Sequence, residues 1–274
     1  MILCQLSDLH VRPPGQLSNG RVDTNRFTEQ AFRAVAGLDP CPDAVLITGD
    51  LTECGLAEEY AVLAELLRIL PMTAFVIPGN HDRRDVLRHA LGHLPGVAQD
   101  PQFVHYAVDE FPVRLVMLDS TVPGADHGEL CAERLAFLDA TLARRPETPT
   151  IVALHHPPFV CGIAHMDRIN LQNAEAFAAI IARHKQVGRI ISGHHHRPIT
   201  AQIAHATASI APSVAHQVEL ALRPDAPSAF KLEPPGYQLH TLTPSGLITH
   251  TGVFGAWPGP FPFIGAPDYP GKPQ

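Results

Sequence analysis

Nine side chains able to bind a cation fall in separated clusters along the chain: Asp8-Leu9-His10, Gly49-Asp50, Gly79-Asn80-His81-Asp82, and His155 with His194 and His196. Each cluster begins where an apolar run stops. In an open α/β sheet the carboxyl ends of strands are where ligand sites are built. Carboxylate, amide and imidazole donors suit hard or borderline divalent metals and not a thiolate centre. Hydrolysis assisted by metal ions is the chemistry such a set could carry.

The spacing within each cluster narrows the roles. Asp8 and His10 stand two positions apart, and in extended chain such side chains point the same way and can meet one ion. The plain alternative is an Asp turn followed by a surface His. Asp50 has two carboxylate oxygens, enough to bridge two cations at the ~3.5–4 Å separation of two-metal hydrolases. Its alternative is the N-cap of a following helix. Pro78-Gly79 is a turn signal that would expose Asn80 and His81. Asp82 reads equally as a partner orienting His81 and as a helix cap. His155 and His156 are adjacent at a strand exit, so only one of them should face the ion. In Gly193-His194-His195-His196 the same two-residue step pairs His194 with His196 and turns His195 away.

Taken in order, Asp-x-His, Gly-Asp, Gly-Asn-His-Asp, His-x-Pro and Gly-His-x-His resemble the calcineurin-like metallophosphoesterases over roughly the first 200 residues. Within that superfamily Asp43–Asp50 (DAVLITGD), Ile77–Asp82 (IPGNHD) and His155–Pro158 (HHPP) look like the bacterial class III phosphodiesterases. That group includes enzymes for cyclic nucleotides and for glycerophosphodiesters. The resemblance implies a binuclear centre with Asp8, His10, Asp50 and His196 on one metal and Asp50, Asn80, His155 and His194 on the other. It implies two divalent or trivalent ions, with Fe, Mn, Zn and Co all open. Asn80 would also touch substrate. His81 would be no ligand but a proton donor to the leaving group or a phosphate contact, and His195 and His216 would lie near substrate. The implied reaction is hydrolysis of small phosphodiesters, glycerophosphodiester-like or of broad specificity, by metal-activated hydroxide, with Asp50 and His81 as the catalytic residues. The stretch His216-Gln217-Val218 and the aromatic tail around Trp257 lean towards glycerophosphodiesters. A 3′,5′-cyclic-nucleotide (cAMP) phosphodiesterase is the alternative, and a phosphomonoesterase or a non-catalytic interaction module stands behind both.

The elements that must position these residues are legible as an alternation. Apolar runs of strand length occupy Ile2–Leu6, Ala44–Thr48, Thr73–Ile77, Arg114–Leu118, Thr150–Leu154 and Arg189–Ser192. Helical stripes lie between them, through Phe27/Ala31/Ala34/Leu38, Leu56/Tyr60/Leu63/Leu67/Leu70 and Cys131/Leu135/Leu138/Leu142, with a weaker pattern over Asn173–His184. After residue 198 strands are expected without helices, at Thr200–Ala208, His216–Leu222, Tyr237–Leu242 and Leu247–Val253. The expectation is an α/β fold, by resemblance the four-layer α/β/β/α metallophosphoesterase sandwich with a β-rich C-terminal half. Its catalytic domain would span 1–257, with a Pro/Gly-rich tail over 258–274.

Composition sets the outer limits. At 45% hydrophobic and 17% charged residues the chain reads as an ordinary globular protein. A net charge of −7 gives no support for a nucleic-acid polymer or an anionic membrane as partner. Five scattered cysteines fit reduced thiols, and no signal-peptide pattern opens the chain. A cytoplasmic enzyme with a small-molecule phosphodiester substrate is expected, and a homo-oligomer is left open. Gly-x-Ser-x-Gly, dinucleotide-binding and P-loop signatures are missing in the needed context, which sets aside those chemistries.

Overall fold

The computed structural model describes residues 1–261. Three parallel strands, β1 (Ile2–Leu6), β2 (Ala44–Thr48) and β3 (Thr73–Ile77), alternate with helices α1 (Thr24–Ala36) and α2 (Ala57–Leu67). A third helix, α3 (Arg84–Leu91), follows β3. A second series runs β4 (Tyr106–Val108), β5 (Arg114–Leu118), α4 (Ala132–Ala143), β6 (Thr150–Leu154), α5 (Ala164–Asp167), α6 (Ala174–Arg183) and β7 (Val187–Ser192). The chain then turns to strands alone: β8 (Ile199–Ile203), β9 (Ala206–Ile210), β10 (Gln217–Val218), β11 (Phe230–Lys231), β12 (Gly236–Thr243) and β13 (Gly246–Val253). The six apolar runs each coincide with a strand, the last beginning two residues earlier.

Two sheets result. The first has the order β13-β12-β1-β2-β3 and the second β4-β5-β6-β7-β9-β8; β10 and β11 form a separate ribbon. Period-two alternation explains how the second sheet is covered on both faces. Leu115, Met117, Ile151, Ala153 and Ile191 join the core shared with the first sheet, while Val116, Leu118, Val152, Leu154 and Ile190 pack with Leu138 and Leu142 of α4 and Phe177 and Ile181 of α6. On the other side Phe32 and Val35 of α1, Tyr60 and Leu63 of α2 and Leu87 and Leu91 of α3 join the core of the first sheet. The layers are therefore α/β/β/α, as expected. A buried polar contact stitches the middle: Gln5 Nε2 donates to Thr48 Oγ1 at 2.9 Å and to the Ser192 carbonyl of the second sheet at 3.0 Å.

Three sequence expectations need correction. The buried face of α1 is Thr28, Ala31, Phe32 and Val35, so Phe27 and Ala34 lie off the core stripe. Thr200–Ala208 is not one strand but the β8–β9 hairpin, which turns through Ala204 at φ 53°. His216–Leu222 contributes only the two-residue β10. The tail expected over 258–274 lies outside the described residues beyond 261. No helix among the described residues is long and apolar enough to cross a membrane.

Candidate metal centre

The clusters follow the ends of five parallel strands. Asp8 and His10 follow β1, Asp50 follows β2, Asn80 and His81 follow β3, His155 follows β6, and His194 and His196 follow β7. The loops are laced to one another. Asp8 N–H donates to the Gly49 carbonyl at 3.1 Å, His10 N–H to the Asp50 carbonyl at 2.9 Å, and Gly193 N–H to the His155 carbonyl at 3.1 Å. The Asp8 carboxylate accepts the His194 N–H at 3.0 Å, and its carbonyl accepts Ser213 Oγ–H at 2.9 Å. A Cβ added at Gly49 would stand 2.3 Å from His155 Nδ1, and one at Gly193 would stand 2.0 Å from Ser7 Oγ and 2.8 Å from Asp8 Oδ2. Only glycine lets these loops approach so closely.

The backbone itself marks the site. Asp8, His10, Asp50, His194 and His196 all sit at positive φ, between 46° and 71°. Left-handed conformation at non-glycine residues is uncommon and concentrates at functional sites. It also changes the reason for the Asp8–His10 and His194–His196 pairs. Their side chains converge from tight left-handed turns and not from extended chain.

The donors gather closely. Ligand atoms of Asp8, His10, Asp50 and His196 lie within 4.8 Å of one another, as do those of His155, His156 and His194. Asp50 Oδ2 stands 3.6 Å from His10 Nε2 and 3.4 Å from His155 Nε2. Asn80 Oδ1 is 3.1 Å from His155 Nε2, and His196 Nε2 is 3.4 Å from Asp8 Oδ1.

The fit to cations is carried by the imidazole tautomers. A carbonyl only accepts, so His155 Nδ1 donates to the Thr48 carbonyl at 2.8 Å and His196 Nδ1 to the His216 carbonyl at 2.9 Å. In its neutral form each ring presents an Nε2 lone pair to the cluster, the second-sphere pattern of metal-bound histidine. His10 Nδ1 lies 2.9 Å from Glu53 Oε2, which turns its Nε2 inward too, 3.1 Å from His196 Nε2. Two lone pairs so placed repel unless a positive charge lies between them. His194 Nε2 is buried and has no partner among the described residues. These residues fit two cations.

Electrostatics agree. Burial works against charge on His10 and His155, yet Glu53 and Asp50 beside His10, and Asp50 beside His155, push each up to about 9. Burial would raise the Asp50 carboxyl, but His155 and His81 hold it well below the usual carboxylate range. Burial pushes the Asp8 carboxyl up to about 6, so charge on it is costly without a positive partner; cations at the cluster would supply that charge to Asp8 and Asp50 in place of ring protons.

The remaining candidates divide. His81 lines the cavity beside the cluster, with Nδ1 donating to the Glu53 carbonyl at 2.7 Å and its backbone N–H to Asp50 Oδ1 at 3.0 Å. His216 lines the same cavity of about 510 Å³, edge-on to Phe230, and burial together with His196 pushes its pKa far down. It is held as a neutral ring. His195 does not line this cavity. It is fully buried, its Nε2 2.6 Å from Asn170 Oδ1 and its Nδ1 3.2 Å from Cys161 Sγ. The structure thus does not bring His195, expected near substrate, to the cavity that His81 and His216 line. His156 is bound by Ser120 Oγ at 2.8 Å and the Asp126 carbonyl at 3.2 Å. Asp82 neither contacts the His81 ring, which Glu53 holds, nor caps α3, whose N-cap is Arg83. Its carboxylate instead accepts from Leu51, Thr52, Gly79 and Tyr60, tying the β2 and β3 loops together. Sequence reasoning missed Glu53, which orients His10 and lines the cavity. A lone Glu three residues after Asp50 carries no spacing signal.

Residues 1–198 match the family model for calcineurin-like phosphoesterases. The chain belongs to that family. Among calcineurin-like phosphoesterases it is 37% identical, over 96% of its length and 97% of the relative's, to a probable glycerophosphodiester phosphodiesterase (GpdQ) of Arcobacter nitrofigilis. It is 32% identical to a probable cyclic nucleotide phosphodiesterase of a Synechococcus strain, over 85% of this chain and 88% of the relative. In fold this calcineurin-like chain is similar to a dimetal phosphatase from Danio rerio, with a TM-score of 0.67 at 14% identity over 93% of this chain and 99% of the other.

Proposed function

We propose that this protein is a phosphodiesterase acting on small phosphodiesters at a two-cation centre, with glycerophosphodiesters as the favoured class. The observation that carries the reading is the Asp50 carboxylate, set between the inward nitrogens of His10 and His155. One cation would be held by Asp8, His10, Asp50 and His196, and the other by Asp50, Asn80, His155 and His194. When bound, such a pair supplies positive charge for the phosphate and acidifies the attacking water. Residues 1–257 would form the catalytic unit.

The chain's own residues do the rest. The Asn80 amide, turned by its oxygen towards His155, presents its nitrogen as a donor for a phosphate oxygen. His81 is clamped at Nδ1 by the Glu53 carbonyl, so the nitrogen left to act is Nε2, and donation from it to a departing alkoxide needs the doubly protonated ring. Glu53 fixes His10 from behind. His216 offers a neutral ring to the cavity wall.

A positioned proton donor contributes ~10²–10⁴-fold, most for poor leaving groups. His81→Ala should therefore keep both metals, lose activity by that order on glycerophosphoethanolamine, and lose much less on bis-p-nitrophenyl phosphate. Equal losses on the two substrates would favour phosphate positioning over proton donation, and loss of a metal would remove the role. The cyclic-nucleotide reading rests on the Synechococcus relative, whose match spans less of the chain. Comparing kcat/KM for glycerophosphoethanolamine and cyclic AMP decides between the two.

A further inference from the structure

Outside the centre, Cys161, Asp167 and His195 each bring a donor atom to within 4.8 Å of the other two. His195 is fully buried, whereas Cys161 and Asp167 are only half-buried, so the set is open to solvent on their side. The hydrogen bonds around it fix which atoms carry protons. Asn170 Nδ2 lies 2.9 Å from the Phe159 carbonyl, which only accepts, so Asn170 turns its oxygen to His195. That oxygen is 2.6 Å from His195 Nε2, which must then be the protonated nitrogen. In the neutral ring the lone pair falls on Nδ1, 3.2 Å from Cys161 Sγ. Asp167 accepts at both oxygens, from the N–H groups of Cys161 and Gly162 at 2.8 and 2.9 Å and from Asn170 Nδ2 at 3.4 Å. A carboxylate has about four acceptor positions, so one is left over. Thiol, imidazole nitrogen and carboxylate thus converge with a single proton, that of the thiol, among them.

Sulfur, nitrogen and oxygen donors together suit a zinc-type ion, whose tetrahedral bonds of about 2.0–2.3 Å set neighbouring donors about 3.5 Å apart. The Sγ–Nδ1 separation of 3.2 Å is already near that span. The bond from His195 Nε2–H to Asn170 is the outer contact by which a metal-bound imidazole is held in place. We infer that Cys161, Asp167 and His195 form a third cation site, separate from the two-cation centre and selective for borderline or soft ions such as Zn²⁺ and Cd²⁺. Its fourth position faces solvent. Burial, with Asp167 adding to it, pushes the Cys161 thiol up to about 11, so the empty site keeps its proton. A coordinated thiol releases that proton to solvent outright. Filled, the site would pin the segment bearing Met166 and Ile169, which line the catalytic cavity, to the loop that carries His194 and His196.

Cadmium bound to thiolate gives an ultraviolet charge-transfer band, and the two-cation centre, which has no cysteine, cannot produce one. Adding Cd²⁺ to the Mn²⁺-loaded protein should raise a saturable band that is lost in Cys161→Ser and kept in Cys41→Ser and Cys54→Ser. Asn170→Ala frees the His195 ring and should weaken Cd²⁺ binding ~10–100-fold, the usual scale for losing an outer partner of a metal-bound histidine. The wild-type chain supplies a check that needs no substitution. Cd²⁺ should protect Cys161 from iodoacetamide, read by peptide mass mapping, and leave labelling of the exposed Cys41 unchanged. A wild-type protein without the band, a band that survives in Cys161→Ser, or labelling of Cys161 that ignores Cd²⁺ overturns the site.

Discussion

Asp50 occupies the most demanding position in the molecule. It is buried, its backbone is left-handed at φ 46°, and its carboxylate stands between the inward nitrogens of His10 and His155. Asp50→Ala should remove the shared ligand, so metal analysis should find fewer than two ions per chain alongside a severe loss of diesterase activity. Two tightly held ions in that variant would contradict the bridging role. The neighbouring histidines separate in the same assay. His155 offers its Nε2 to the cluster, whereas both nitrogens of His156 are engaged by Ser120 and Asp126. His155→Ala should lose the metal shared with Asn80 and His194. His156→Ala should keep both ions and instead lower stability by about 2–4 kcal/mol, the scale for emptying a buried side-chain site, as read by urea denaturation.

At the scale of elements, function depends on how tightly neighbouring loops interlock. Gly49→Ala would place a methyl group 2.3 Å from His155 Nδ1 at φ +94°. The substitution should cost more than ~1 kcal/mol and reduce metal content, because His155 cannot hold its bond to Thr48 and its aim together. The start of α3 has a different anchor, the Arg84–Asp119 pair. Burial would raise the Asp119 carboxyl, but the Arg84 hydrogen bonds more than offset it, leaving its pKa below the ordinary 3.8. A carboxyl lowered on folding stabilises above its unfolded pKa, and the contribution is lost as pH falls through the folded value. Urea midpoints should therefore drop less between pH 6 and pH 3 in Asp119→Asn than in wild type. The strands that carry the site were legible because each is a short apolar run ending in a polar cluster. Helix α3 was not, since Arg84–Leu91 carries four charged or imidazole side chains in eight residues and buries only Leu87 and Leu91. The face of α1 was misread because Thr28, not Phe27, points inward. Within the site, motif order pointed to the seven proposed ligands, while Glu53 and the Cys161–His195 contact depend on packing that no spacing encodes.

At the scale of the whole molecule, the centre spans two sheets. Asp8, His10, Asp50 and Asn80 leave the first sheet, and His155, His194 and His196 leave the second. Neither sheet holds a complete set. A cation that binds only the docked arrangement stabilises docking by mass action, about 2.7 kcal/mol at a hundredfold excess over Kd. Chelation should therefore lower the unfolding temperature, and added metal should restore it in a concentration-dependent way. An unfolding temperature indifferent to chelator, with the ions shown to be removed, would mean that the sheets dock without help from the centre.

The pairing of β1 with β12 has a consequence in time. β1 has β2 on one side and, on the other, an antiparallel strand that begins only at Gly236. Until that strand is made, one edge of β1 is open, and an open apolar edge is a template for pairing with other chains. On the ribosome, the strand that leads into Asp8 and His10 must wait for more than two hundred residues before its sheet can close, and contacts of such separation form slowly. A chain stopped before Gly236 should accumulate in the insoluble fraction even though every proposed ligand has already been synthesised.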